Sequence, residues 1–159
     1  MRKIDGLLQA YDISHQHPAN RTIRWFCVPA MFFSVVGLLY SIPPGPMEEM
    51  EFLLSHFANW ATPVLLLVLV YYLTLSPPLA LGMFLFAALC LAMASLLSLL
   101  LPFSLWIFCL FLFLTAGMVQ LRGHRIEGKK SSLLTDLQSL LIGPAWLMHF
   151  IYRRLGIAY

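Results

Sequence analysis

His15 and His17, in the stretch Tyr11 to Asn20, and His124, in the stretch Gln120 to Glu127, stand just outside opposite ends of a long apolar block. Imidazoles with nearby carboxylates, here Glu127 and Asp136, are the donor types of a non-haem Fe(II) site, which leaves positions open for substrate and O2. A metal site needs its ligands within a few ångströms of one another. Residues so far apart in sequence meet only if the chain returns to the side on which it started. His149, in the last apolar segment, is a further candidate ligand, whereas His56 falls in a loop on the other side. Ionisable groups at membrane depth are costly and usually functional, so three histidines on one face carry more weight than one.

The elements that must position them are set by composition. Of 159 residues, 60% are hydrophobic and 11% charged, and the mean hydropathy is +0.82. Soluble domains are roughly 45–50% apolar and ~25% charged. The chain is an integral membrane protein with one domain over residues 1–159 and no room for a separate soluble module. No basic tract interleaved with aromatics points to nucleic acid. Cys27, Cys90 and Cys109 all fall in apolar runs without a C-x-x-C pair, so buried thiols are expected rather than a disulfide framework. Met1 to Asn20 has no apolar core of its own, which argues against a cleavable signal.

The pattern predicts an all-α helical bundle with four transmembrane helices over about 25–42, 61–75, 79–101 and 103–121. Ile4, Leu7, Leu8 and Tyr11 recur at helical spacing and predict a short amphipathic helix on the membrane surface. Turns are expected at Pro43 to Pro46, at Ser76-Pro77-Pro78 and at Pro102. The segment over 132–152 is apolar enough to enter the bilayer, but a full crossing would carry Arg153 and Arg154 to the far side. Gly143-Pro144 predicts a re-entrant or interfacial hairpin that turns there, in preference to a kinked fifth crossing.

All ten basic residues lie before the first span, after the fourth, or near the end. Four crossings put the first two groups on one side, and the positive-inside rule makes that side cytoplasmic, with both termini. The loop holding Glu48, Glu49 and Glu51 is then outside. Gln120 lies one turn before His124 and could orient that imidazole. Asn20 could hydrogen-bond a ligand or cap the entering helix, and Lys129 and Lys130 read as lipid-headgroup anchors. Five histidines with only an H-x-H among them cannot supply the histidine boxes of the di-iron membrane desaturases. Ser14 beside His15 has no nucleophile-elbow pattern, and the spans hold almost no polar residues to line a transport path.

Y-x-x-x-H-x-x-P-x-N, then C-V-P before a span, then Q-x-x-G-H-x-x-E and D-L-Q-S-L-L-I-G-P together resemble the membrane 2-hydroxy fatty acid dioxygenase family, with yeast and bacterial members. The resemblance rests on His15, Pro18, Asn20, Val28, Pro29, Gln120, Gly123, His124, Glu127, Asp136, Gln138 and Pro144. It implies Fe(II)-dependent oxidation of a long-chain 2-hydroxy fatty acid by O2, with loss of one carbon. His15 and His124 would inherit iron-binding positions; Asn20, Glu127 and Asp136 inherit family positions without individual roles. One departure matters: the family commonly has N-x-x-x-H where this chain has Asn20-Arg21-Thr22-Ile23-Arg24. Arginine cannot deprotonate to ligate a metal. The resemblance then requires another imidazole, from His17 or His149, and leaves Arg24 able to pair with the substrate carboxylate. The alternative is a non-catalytic lipid-binding or partner-binding protein with a degraded metal site. The short chain favours a bacterial inner membrane over the endoplasmic reticulum.

Overall fold

Within hydrocarbon every backbone N–H and C=O must be satisfied by the segment itself, so long runs of Leu, Phe and Ala fold as helices. The computed structural model describes residues 18–45, 59–126 and 133–156; within these, the side chains of 18–21, 124, 126, 133–139 and 155 lie outside the description. The helices are α1 (Pro18–Tyr40), α2 (Ala61–Leu75), α3 (Pro77–Leu100), α4 (Leu105–Ile126) and α5 (Leu133–Leu155). All regular structure among the described residues is helical. The expected surface helix at the N-terminus and the acidic loop with His56 lie outside the described residues.

Three stretches are long and apolar enough to cross a membrane: Thr22–Tyr40, Pro77–Leu100 and Leu105–Gly123. The second expected span, α2, has only 15 residues. That is about 22 Å of helix at 1.5 Å per residue, short of the roughly 30 Å hydrocarbon core. Its ends are well defined. Asn59 Oδ1 accepts the Thr62 amide at 3.1 Å, and the Trp60 indole donates to the Pro43 carbonyl at 3.1 Å, tying the start of α2 to the chain leaving α1. At its other end Ser76 alone separates α2 from α3, with extended backbone. The Ser76 amide still bonds Tyr72 O, and Ser76 O already accepts the Ala80 amide. Pro77 and Pro78 occupy the first turn of α3, where their missing N–H groups cost nothing.

The most extensive pairing is between α1 and α4. Gly37, near the end of α1, lies against Cys109, in the opening turns of α4; a Cβ at Gly37 would sit 2.3 Å from Cys109 Sγ. The two helices are therefore antiparallel, and the start of α1 lies beside the end of α4. Small residues let helices approach this closely in lipid. On another face, Arg24, Val28, Phe32 and Val36 recur every fourth residue and are all buried. Phe32 and Val36 join Tyr72, Leu79, Met83 and Cys90 in the main core with Ile142, Ala145 and Trp146 of α5. Ala94, Leu105 and Cys109 form a smaller cluster at the opposite end. Outward leucines such as Leu67, Leu85 and Leu99 are exposed, as expected of surface meeting lipid. The cysteines are free and buried, as their sequence setting predicts.

The structure departs from expectation in α5. No turn forms at Gly143-Pro144: the helix runs unbroken through Pro144. Proline removes one donor and crowds the preceding turn, and neighbours can compensate by bonding the carbonyls so released. The Tyr72 hydroxyl donates to the Leu141 carbonyl, one residue after the Leu140 carbonyl that Pro144 leaves without its helical donor, and so ties α5 to the bundle at this point. The hairpin was needed only to keep Arg153 and Arg154 on the starting side. A continuous α5 packs against the end of the bundle where α1 begins, with Arg153 and Arg154 in its last turn. Trp25 meets Phe150, and the Tyr152 hydroxyl donates to Pro78 O at 2.9 Å. Gly82 makes this last contact possible, because a Cβ there would lie 2.5 Å from the Tyr152 oxygen.

Candidate functional site

Burying a polar side chain costs free energy unless it gains a partner, so the buried polar residues of an apolar bundle mark where chemistry is invested. Among the described residues these are Arg24, Ser34, Asn59, Ser76 and Gln120. Two have local structural roles. Ser34 Oγ donates to Met31 O at 2.8 Å, and Asn59 holds the first turn of α2. The other three, Arg24, Ser76 and Gln120, all lie at the end where α1 begins, called here the proximal end.

The antiparallel register of α1 and α4 fixes the relation of the first pair. The distance back from Gly37 to Arg24, taken forward from Cys109, lands at Arg122, between Gln120 and His124. Arg24 is 1% exposed and is engaged by a neighbouring group. Gln120 continues the buried face of α4 that carries Leu105, Cys109 and Ala116. At the α2–α3 corner the Ser76 hydroxyl is buried and makes no hydrogen bond with a described residue.

α5 adds the third wall. Trp25 makes edge contacts with Phe150 at 5.3 Å between ring centroids and with Trp146 at 6.5 Å. His149 therefore lies level with Trp25 and Arg24. It continues the inward stripe of Ile142, Ala145 and Trp146 by one turn. The side chain is half-buried, and its Nδ1 is fully enclosed.

The structure thus places Arg24, Gln120 and His149 at the same end of the bundle. His124 is placed on the last turn of α4, Asn20 on α1 one turn before Arg24, and Asp136 in the first turn of α5; their side chains lie outside the description, as do His15, His17 and Glu127 entirely. His17 directly precedes the first residue of α1 in sequence. Among the described residues, no three His, Cys, Asp or Glu side chains cluster as a metal site. Of the candidate imidazoles, His149 has a described side chain, and its enclosed Nδ1 is a donor of the type an iron site uses. A groove of about 440 Å³ runs between α2 and α3, lined by Leu65, Leu69, Phe84, Ala88, Leu91 and Ser95 among others.

The model of a protein family described as 2-hydroxy-palmitic acid dioxygenase Mpo1-like matches residues 1–155. The chain belongs to the Mpo1-like family. No curated protein and no solved structure matches it. The Mpo1-like match takes in both histidine patches and every described helix, so it covers the proximal end as a whole and not one motif alone. Sequence reasoning missed the parts that join this end together: Ser76, the aromatic contact of Trp25 with Trp146 and Phe150, and the hydroxyl bonds of Tyr72 and Tyr152. Only Trp146 and Phe150, one helical turn apart, left a readable signal.

Proposed function

We propose that this Mpo1-like protein is an Fe(II)-dependent dioxygenase that shortens long-chain 2-hydroxy fatty acids by one carbon. The observation that carries the reading is the convergence, at one end of an apolar bundle, of the α1 start and the α4 end, which carry buried Arg24 and buried Gln120. His15 and His124 would hold the iron with a third imidazole, His17 or His149. Bound there, Fe(II) would supply the redox chemistry with O2 that breaks the C1–C2 bond.

The chain's own residues do the binding. The substrate tail lies along apolar surface, for which the α2–α3 groove has room, and each buried CH2 contributes roughly 0.8 kcal/mol. The carboxylate stays at the proximal end, where the Arg24 guanidinium pairs with it; a charge-assisted bond in a desolvated setting is about twice as strong as a neutral one. Gln120, one turn from His124, orients that imidazole. The packed aromatics Trp25, Trp146 and Phe150 keep bulk water from the site.

One observation favours a second reading, a non-catalytic lipid-binding protein: a buried cation stands where the family commonly has a histidine. The two separate on purified protein in detergent, assayed for iron content and then for odd-chain product from 2-hydroxypalmitate, Fe(II) and O2. The dioxygenase reading expects retained iron and product, both lost in His15→Ala and in His124→Ala. Iron-free protein without turnover, unchanged by either substitution, would establish the lipid-binding reading instead.

A further inference from the structure

We infer that the groove between α2 and α3 holds the hydrocarbon tail of the substrate, and that its length sets the longest chain the protein accepts. The inference rests on the dioxygenase reading above for the position of the carboxylate, and it gives the tail a bounded site. Thr62, Leu65 and Leu69 of α2, and Phe84, Ala88 and Ala92 of α3, recur at helical spacing, so each helix turns one stripe into the groove. None of the lining is charged, and the Thr62 hydroxyl and amide are both bonded to Asn59 Oδ1. Size decides between a hydrocarbon chain and a helix of a second copy. A helix 10–12 Å across, over the roughly 16 Å from Phe84 to Ser95, would fill on the order of 1,300 Å³. The groove offers about 440 Å³. A single extended chain, whose carbons pack about 4 Å from their neighbours, fits that space.

The groove begins near the level of Arg24. Met148 and Tyr152, on either side of Phe150 along α5, both meet Gly82, while Phe150 meets Trp25, the neighbour of Arg24. Arg24 on α1 is therefore level with about Gly82 on α3, half a turn before Phe84. From Gly82 to Ser95, the last α3 residue of the lining, the helix runs about 20 Å at 1.5 Å per residue. An extended alkyl chain advances about 1.25 Å per bond, given bonds of about 1.52 Å at about 111°, so about 16 bonds reach the end of the groove. That is the length of an acid of sixteen or seventeen carbons. At this end α2 begins, and the bonds between Asn59 and Thr62 form a polar stop, against which a further methylene would bury polar groups at a cost. Ala92, about 15 Å from the Gly82 level, marks the reach of an acid of about thirteen carbons.

The test is competition of 2-hydroxy acids of eight to twenty carbons against a fluorescent fatty acid on the detergent-purified full chain, without iron or O2, followed by turnover of the same series. The wild type should bind more tightly with each added carbon up to about sixteen or seventeen, and no more tightly beyond. Ala92→Phe should bring that limit down to about thirteen carbons. It should weaken the sixteen-carbon acid by about tenfold or more, the scale on which an apolar pocket resists an ill-fitting methylene, and leave the eight-carbon acid unchanged. Ala92→Leu should act in the same direction by a smaller step. Leu89→Phe, exposed on α3 outside the groove, should keep the wild-type profile. Wild-type affinity that keeps rising to twenty carbons overturns the inference, as does an unchanged profile, or an equal loss at every length, in both Ala92 variants. A wild-type dimer that Ala92→Phe dissociates without altering the profile would assign the groove to a second copy instead. A bounded binding profile without product leaves the groove standing and overturns the dioxygenase reading. Product from 2-hydroxypalmitate, with the Ala92 variants unaltered, does the reverse.

Discussion

Gly37 shows how one atom sets the geometry of the site. Its missing side chain admits Cys109 Sγ to where a Cβ would be, 2.3 Å away, while Cys109 Cβ is at a comfortable 3.5 Å. The contact lies far from the proximal end, yet it fixes the α1–α4 register that sets Arg24 and Gln120 at the same end of the bundle. Gly37→Ala forces the sulfur out of a fully buried position, and overpacking of this kind costs typically 1–3 kcal/mol. Cys109→Ala alone leaves a small void. Together the two substitutions exchange one volume for the other, so the double variant should melt closer to wild type than Gly37→Ala does, with a coupling of about 1 kcal/mol. Thermal denaturation in detergent measures all three; additive losses would mean that the pair is not in contact. None of this was legible in the sequence, where Gly37 and Cys109 are two small residues in separate apolar runs. Arg24 was legible as a departure from the family pattern, but its burial was not, because depth depends on which helices surround it.

At the scale of elements, three helix boundaries came close to expectation, because prolines and short polar turns mark them in the sequence. The α2–α3 corner at Ser76-Pro77-Pro78 is the clearest case. α5 is the instructive failure. Gly143-Pro144 signals a weak point in a helix but cannot say whether the chain turns or continues. A group that holds the continuous helix to the bundle there, the Tyr72 hydroxyl, is 69 residues from its acceptor, Leu141 O. Tyr72→Phe removes the donor and with it one hydrogen bond between α2 and α5, an expected loss of about 1 kcal/mol. Pro144→Ala returns an N–H to Leu140 O and relieves the crowding of the turn that holds Leu141 O, so α5 depends less on the tyrosine bond and the cost of Tyr72→Phe should shrink in that background. Melting temperatures of the four proteins make the comparison. An equal cost in both backgrounds would show that the tyrosine bond is unrelated to the proline.

For the whole molecule, the distribution of charge and the path of the chain give one answer. Arg24, Arg122, Arg125, Arg153 and Arg154, the arginines with described side chains, all lie at the proximal end. Ile42 and Trp60, at the other end of the bundle, have no described basic neighbour in sequence. The positive-inside rule predicts a cytoplasmic face for the candidate site and the end of α5. The path of the chain agrees with that prediction although α2 is shorter than a full span: the Trp60–Pro43 bond starts α2 at the far end and Ser76 returns the chain to the near one. Single thiols introduced by Arg122→Cys, Arg153→Cys and Ile42→Cys, each at an exposed position, test the arrangement in a background with Cys27, Cys90 and Cys109 replaced by alanine. A membrane-impermeant maleimide added to inverted vesicles should label the variants at 122 and 153 and spare the one at 42; added from the opposite side, it should do the reverse. Labelling of the 153 variant together with the 42 variant would mean that α5 crosses the bilayer, which would remove His149 from the face that holds His124.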